Sequence, residues 1–128
     1  KYVSRDEVRY EFVSDQAHYF DHEADVYKEF CNRLSMHLIN GDTVIADATH
    51  LNKISRDKLI NAIRRKRPNL PLHITMVYFD IPLEVCKFRN HKREGRALVP
   101  DHVMDNMYRS LQFPQLREGL ERIEIVRD

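Results

Sequence analysis

Apolar positions recur along this chain with two different periods, and their alternation is the main structural signal. From Asp21 to Ile39 they fall at Ala24, Tyr27, Phe30, Cys31, Leu34 and Leu38, which is the spacing of one helix face. Asn40-Gly41-Asp42 stops that helix, with Gly41 suited to a left-handed C-terminal cap. Thr43 to Ala46 is a short β-rich apolar run and reads as a buried strand. A second helix is expected over Lys53 to Arg67, with Leu59, Ile60 and Ile63 on its apolar face and Pro68 and Pro71 at its exit.

Leu72 to Phe79 is the strongest strand signal in the chain. Pro82 suits the first turn of a helix from Leu83 to about Lys92, because its missing N–H costs nothing there. Arg93 to Val99 is polar loop. Pro100 to Leu111 is helical again, with Val103, Met104, Met107 and Leu111 on one face, and Arg122 to Val126 is a last strand. At the other end, Lys1 to Ser4 reads as the end of a strand and Asp6 to Val13 as a short helix. Strands separated by helices predict an α/β domain with a mainly parallel sheet.

Composition adds bounds to that pattern. A chain of 128 residues suits one domain, residues 1–128, able to bury a core without disulfide or metal staples. A hydrophobic fraction of 42% against 32% charged excludes a disordered chain. The net charge of +1 gives no global basic field, so any nucleic-acid contact must be a local cluster. No apolar run reaches the length of a membrane helix, and Lys1 to Ser4, running straight into a charged segment, are not expected to open a signal peptide. Cys31 and Cys86 are far apart among apolar neighbours and are expected to be packed thiols of a cytoplasmic protein. The three glycines, Gly41, Gly95 and Gly119, are too scattered to form a phosphate-cradling loop.

Three segments carry candidate chemistry. Asp6 follows a strand end, where ligands bind in open α/β sheets, and its carboxylate could take a proton from a substrate hydroxyl. Arg9, three residues on, shares its helix face and could hold a phosphate. The plainer reading makes Asp6 a helix cap and Arg9 half of a surface ion pair. Asp47 ends the Val44–Ala46 strand and is followed by Thr49, His50 and Asn52, as in an acid at a strand tip near magnesium or an arginine; a turn capping the next helix explains it equally. Arg89 and Arg93 are four apart and expected to share a helix face, with Arg93 and Arg96 flanking Gly95 on a loop. Such arginines can stabilise phosphoryl transfer, or simply complement a helix C-terminus. His18 and His22 have a metal-ligand spacing but no evident third ligand, so no metal site is assigned. Arg64 to Arg67 fits a solvated helix end or a nucleic-acid patch.

Taken in order, S-R-D-E-V-R after a strand, V-I-A-D-A-T-H-L-N after the next, and V-Y-F-D-I-P-L-E-V-C-K-F-R-N-H-K-R-E-G-R-A-L-V-P leading to M-D-N-M-Y-R-S resemble the polynucleotide-kinase-like branch of the P-loop kinases. The resemblance runs from Tyr2 to Val126. It implies a three-layer P-loop kinase-like sandwich and an ATP- and magnesium-dependent transfer of phosphate to a hydroxyl, with a polynucleotide 5′-end or a small molecule as acceptor. It makes Asp6 the general base, Arg9 a holder of acceptor phosphate, and Asp47 and Thr49 the lining of the acceptor site, with Asp47 a candidate for the second shell of magnesium. A lid over about residues 89–100 would bring Arg89, Arg93 and Arg96 to the ATP, with Arg93 at the transition state and Arg96 where the family has a lysine. The family has Asn in place of His50. Asp80 matches a structural strand-end acid.

The family's opening strand, G-x-x-x-x-G-K-[ST] loop and first helix are absent from these residues. The resemblance implies a sheet order of 2-3-1-4-5, in which the strands at Tyr2, Val44, Ile74 and Ile123 are the second to fifth. A slot of roughly 10 Å would then separate Val44 from Ile74. The expectation is a natural protein with about 20–30 further N-terminal residues, since a strand, loop and helix need that length, and a chain that alone binds ATP poorly. The competing expectations are a non-catalytic nucleotide- or nucleic-acid-binding module and a P-loop hydrolase without an acceptor.

Overall fold

A computed structural model describes residues 1–13, 18, 20–95 and 98–127. Arg96 therefore lies outside the described residues. The chain divides into two compact units, Lys1–Thr49 with Lys58–Leu70, and His50–Asp57 with Pro71–Asp128.

In the first unit, β1 (Tyr2–Ser4) leads directly into α1 (Arg5–Phe12), followed by α2 (Glu23–Ile39) and β2 (Ile45–Asp47). β1 and β2 are parallel, with Tyr2 opposite Ile45, Val3 opposite Ala46 and Ser4 opposite Asp47. The core joins Val3 and Val8 to Val26, Phe30, Cys31 and Leu34 of α2 and to Leu59, Ile60 and Ile63 of α3 (Lys53–Lys66). Helical spacing places Phe30, Cys31, Leu34, Leu59, Ile60 and Ile63 inside, as found, but it misses Val26, and it puts Ala24 on the inner face, where the structure leaves it exposed.

α2 ends as the sequence predicts. Gly41 sits at φ 84°, Gly41 N–H donates to the Leu38 carbonyl (3.0 Å), and Asp42 N–H donates to the His37 carbonyl (3.0 Å). This is the paired closure that a left-handed residue one step beyond the helix permits.

β2 departs from expectation. It was expected to be buried, yet Ile45 is 62% exposed. The apolar run is β-forming, but among the described residues its pairing is with β1 along one edge only, so hydrophobicity alone does not bury it.

In the second unit, β3 (Thr75–Phe79) and β4 (Arg122–Val126) run parallel over five residue pairs, from Thr75 opposite Arg122 to Phe79 opposite Val126. The ladder is extended by Glu121 N–H on the Ile74 carbonyl and Asp80 N–H on the Val126 carbonyl, both at 2.8 Å. α4 (Leu83–Asn90) and α5 (Asp101–Ser110) follow β3, and a 3-10 turn (Leu116–Glu118) precedes β4. The architecture is α/β with parallel strand pairs, and both pairings are those that the order 2-3-1-4-5 requires of its second-third and fourth-fifth strands.

Candidate active site

In a parallel pair the carboxyl ends of both strands emerge together, so the opposition of Ser4 and Asp47 brings two of the candidate segments to one edge. α1 starts immediately after Ser4, whose hydroxyl accepts from Glu7 N–H (3.2 Å) and caps the helix. The capping role open to Asp6 is thus taken by Ser4. The Asp6 side chain is 67% exposed, and one of its oxygens accepts from Arg9 Nη1 at 2.5 Å.

Arg9 is buried, which departs from a surface ion pair. Glu23, at the first position of α2, accepts from Arg9 Nε through both carboxylate oxygens (3.1 Å each) and from Nη2 (2.6 Å). The guanidinium also lies over the Phe20 ring, 5.4 Å from its centroid. Arg9 therefore links Asp6 to Glu23, and a phosphate reaching it must exchange with a carboxylate. An arginine surrounded by two carboxylates stays charged while largely dehydrated, which suits it to orient Asp6.

Asp47 is the last residue of β2 and accepts a short hydrogen bond from the Tyr2 hydroxyl. That bond, ahead of the neighbouring negative charge, pushes the Tyr2 phenol above its ordinary 10.0. Asp47→Ala is expected to return Tyr2 toward 10.0 in an NMR-detected titration of its ring; an unmoved titration would show that the bond does not form in solution. Thr49 is exposed just beyond the strand.

His50 opens the second unit with a φ of 42°, unusual for a residue with a side chain. Its carbonyl accepts from Arg56 Nη1 at 2.9 Å. The turn that the sequence allowed here is built on Asn52, whose side-chain oxygen accepts from Ser55 N–H (2.9 Å) while the Ser55 hydroxyl accepts from Asn52 N–H (3.3 Å). Capping thus explains Asn52 without drawing in Asp47.

The segment after α4, where the resemblance puts a lid, is anchored in a way that spacing does not reveal. α4 ends at Asn90, so Arg89 lies on the helix but Arg93 lies past it, and the expected shared helix face is lost. Asn90 is buried, and its amide both donates to the Val99 carbonyl (2.5 Å) and accepts from Val99 N–H (3.0 Å). This two-point clamp mimics a strand pairing and terminates the helix. His91 meets Asp101 at 2.8 Å and Lys87 meets Asp105 at 2.6 Å, tying α4 to α5. Arg89 and Arg93 are both exposed between these anchors.

Sequence reasoning missed Tyr2, Glu23, Asn90 and the Arg56–Glu118 pair. Tyr2 had a signal: it shares the period of Ser4, and therefore the face and end of the strand pair that Asp47 reaches. Glu23 had none, because its meeting with Arg9 is purely tertiary. Among the described residues no group of three or more His, Cys, Asp or Glu could hold a metal ion, and no glycine-rich loop is present. None of the described helices is long and apolar enough to cross a membrane.

Comparison with known families supplies what geometry does not. Residues 2–114 match the AAA domain family AAA_33. That match covers most of the chain, and the chain belongs to this P-loop NTPase-like family. No curated protein sequence matches it.

Proposed function

Starting from membership of a family of nucleotide-binding P-loop domains that includes kinases, we propose that this chain supplies the acceptor side and the lid of an ATP-dependent phosphotransferase similar to polynucleotide kinase. One observation carries the reading: an exposed carboxylate, Asp6, stands at the carboxyl end of a parallel strand pair and is held from behind by the buried Arg9. When bound, ATP provides the phosphoryl group and magnesium offsets its charge. Asp6 accepts the proton of the attacking hydroxyl, and Arg9 fixes the carboxylate so that it need not reorganise as the proton arrives. Asp47, held by Tyr2, and Thr49 offer polar groups to the acceptor at the same strand end. The acceptor is a hydroxyl of a polynucleotide end or a small molecule; the fold does not select between them.

The test is Asp6→Asn in the native protein, assayed for transfer of labelled phosphate to hydroxyl acceptors. Amide for carboxylate keeps the shape and removes the base, so transfer should fall by roughly 10²–10⁴-fold while nucleotide binding is retained. Unchanged transfer would remove Asp6 as the base. Nucleotide or nucleic-acid binding without transfer in the unaltered protein would leave a binding module instead.

A further inference from the structure

Four buried polar atoms of the first unit find no oxygen or nitrogen partner among the described residues: Arg5 Nε, Ser35 Oγ, Arg67 Nε and Tyr27 Oη, which has only the weakly bonding Cys31 thiol beside it. Native structures rarely leave such groups unmatched without a water, an ion or a ligand to receive them. Tyr27, Cys31 and Ser35 are spaced by four along α2, so three polar side-chain atoms form one stripe inside an otherwise apolar face.

Cations gather on that stripe. The Arg5 guanidinium lies 5.2 Å from the Tyr27 ring centroid and the Lys58 ammonium 4.4 Å from it. Burial raises both the Tyr27 phenol and the Cys31 thiol one turn along, and neighbouring cations work against it, Arg5 and Arg65 at the phenol and Lys66, Arg5 and Lys58 at the thiol. Lys66 donates to the Asn32 side-chain oxygen at 2.6 Å, a neutral partner. Among the described residues no carboxylate comes within 4.0 Å of the charged groups of Arg5, Lys58 or Arg65. Like charges converging on one aromatic ring repel one another, and only the ring quadrupole offsets that in the chain itself. The remedy is an anion.

We propose that Arg5, Tyr27 and Lys58 form a phosphate-binding site near the start of α2, separate from the Asp6 carboxylate. A phosphate dianion has enough oxygens to take a guanidinium, an ammonium and a phenol O–H together, whereas a carboxylate has two. Burial pushes the Tyr27 phenol up to about 12, so at neutral pH it remains a donor. Lys58 lies over the ring, and its flexible stem lets the ammonium swing onto an arriving anion. The phosphate is either a free anion or one unit of a nucleic-acid backbone. The proposal holds whether or not Asp6 proves to be a base.

The experiment titrates the native protein with inorganic phosphate, and separately with a single-stranded oligonucleotide lacking terminal phosphates, following the Arg5 Nε–H and Tyr27 ring signals by NMR. Both signals should shift saturably, and Lys58→Gln and Tyr27→Phe should each weaken binding about tenfold, the loss of one charge-assisted hydrogen bond. Arg64→Gln, a neighbouring cation with no part in the site, should leave it within about twofold. Shifts with phosphate alone identify a free-anion site, and competition between phosphate and oligonucleotide identifies a strand backbone. Unmoved Arg5 and Tyr27 signals, or equal losses in Arg64→Gln and Lys58→Gln, overturn the proposal, the latter by showing a diffuse basic surface.

Discussion

Arg56→Ala is expected to lower the unfolding free energy of the unit formed by His50–Asp57 and Pro71–Asp128 by about 3–5 kcal/mol, the largest stability effect of any single side chain in it. The side chains of Arg56 and Glu118 are only 4% and 3% exposed. Arg56 Nε donates to Glu118 Oε1 (2.8 Å) and Nη2 to Oε2 (3.2 Å), while Nη1 donates to the carbonyls of His50 (2.9 Å) and Gln112 (3.1 Å). Glu118 also accepts from Gln115 N–H at 2.8 Å. The pair thus ties the segment after the second strand to the approach of the last one. Truncating Arg56 leaves the buried Glu118 carboxylate with the Gln115 N–H but no cation and removes a donor from two carbonyls, and the uncompensated charge dominates the loss.

The same pair sets an acid limit. The Arg56 hydrogen bonds hold the Glu118 carboxyl below its ordinary 4.5, working against burial. A folded-state value below the unfolded one contributes stability that is complete above the unfolded value and is lost as pH falls through the folded value. The unit should therefore weaken below about pH 4.5, and Glu118→Gln should flatten that part of the profile while lowering stability at neutral pH. Denaturant unfolding of each variant, followed by circular dichroism across this range, checks both statements. A loss under about 1 kcal/mol for Arg56→Ala would place the pair among weak surface bridges. The double variant Arg56→Met with Glu118→Leu should recover part of the loss, because apolar replacement removes the buried charges together.

What was legible in the sequence and what was not follows from range. The last strand, Arg122–Val126, was legible to the residue because Ile123 and Ile125 alternate with the charged Arg122 and Glu124. The stop of α2 at Asn40-Gly41 was legible because it needs only a left-handed residue, and the strand pairings followed from the family's sheet order. Asp6 and Asp47 were legible as strand-end acids. Their partners were not: Arg9 meets Glu23 and Asp47 meets Tyr2 across 14 and 45 residues of sequence, distances over which periodicity is silent. Arg56 left a trace, since it stands in phase with Leu59, Ile60 and Ile63, and a cation on an apolar stripe must find an anion. The end of α4 was misplaced because Asn90 looks like an ordinary helix residue until its amide closes on Val99.

The expected result for Arg93 is the opposite of that for Arg56: a large effect on rate and almost none on stability. Arg93 is exposed past the end of α4, and its backbone N–H donates to the Asn90 carbonyl (2.9 Å), so the turn is fixed without its side chain. Removing the guanidinium leaves the Asn90–Val99 clamp intact, and the unfolding free energy should stay within about 0.5 kcal/mol. If the lid closes over the transferring phosphate, Arg93 meets charge that develops only in the transition state, and Arg93→Ala should slow transfer by about 10²–10³-fold or more. The loss should appear in kcat rather than in KM, because a ground-state contact would be felt equally before reaction. Arg93→Lys should recover little, since an ammonium cannot reproduce the planar fork. Asn90→Ala separates position from chemistry: it frees the lid base while leaving Arg93 present, so it should slow transfer less than Arg93→Ala and lower stability more. Equal rates for Arg93→Ala and the unaltered protein would remove Arg93 from the mechanism and return the basic lid to the ordinary complement of a helix C-terminus.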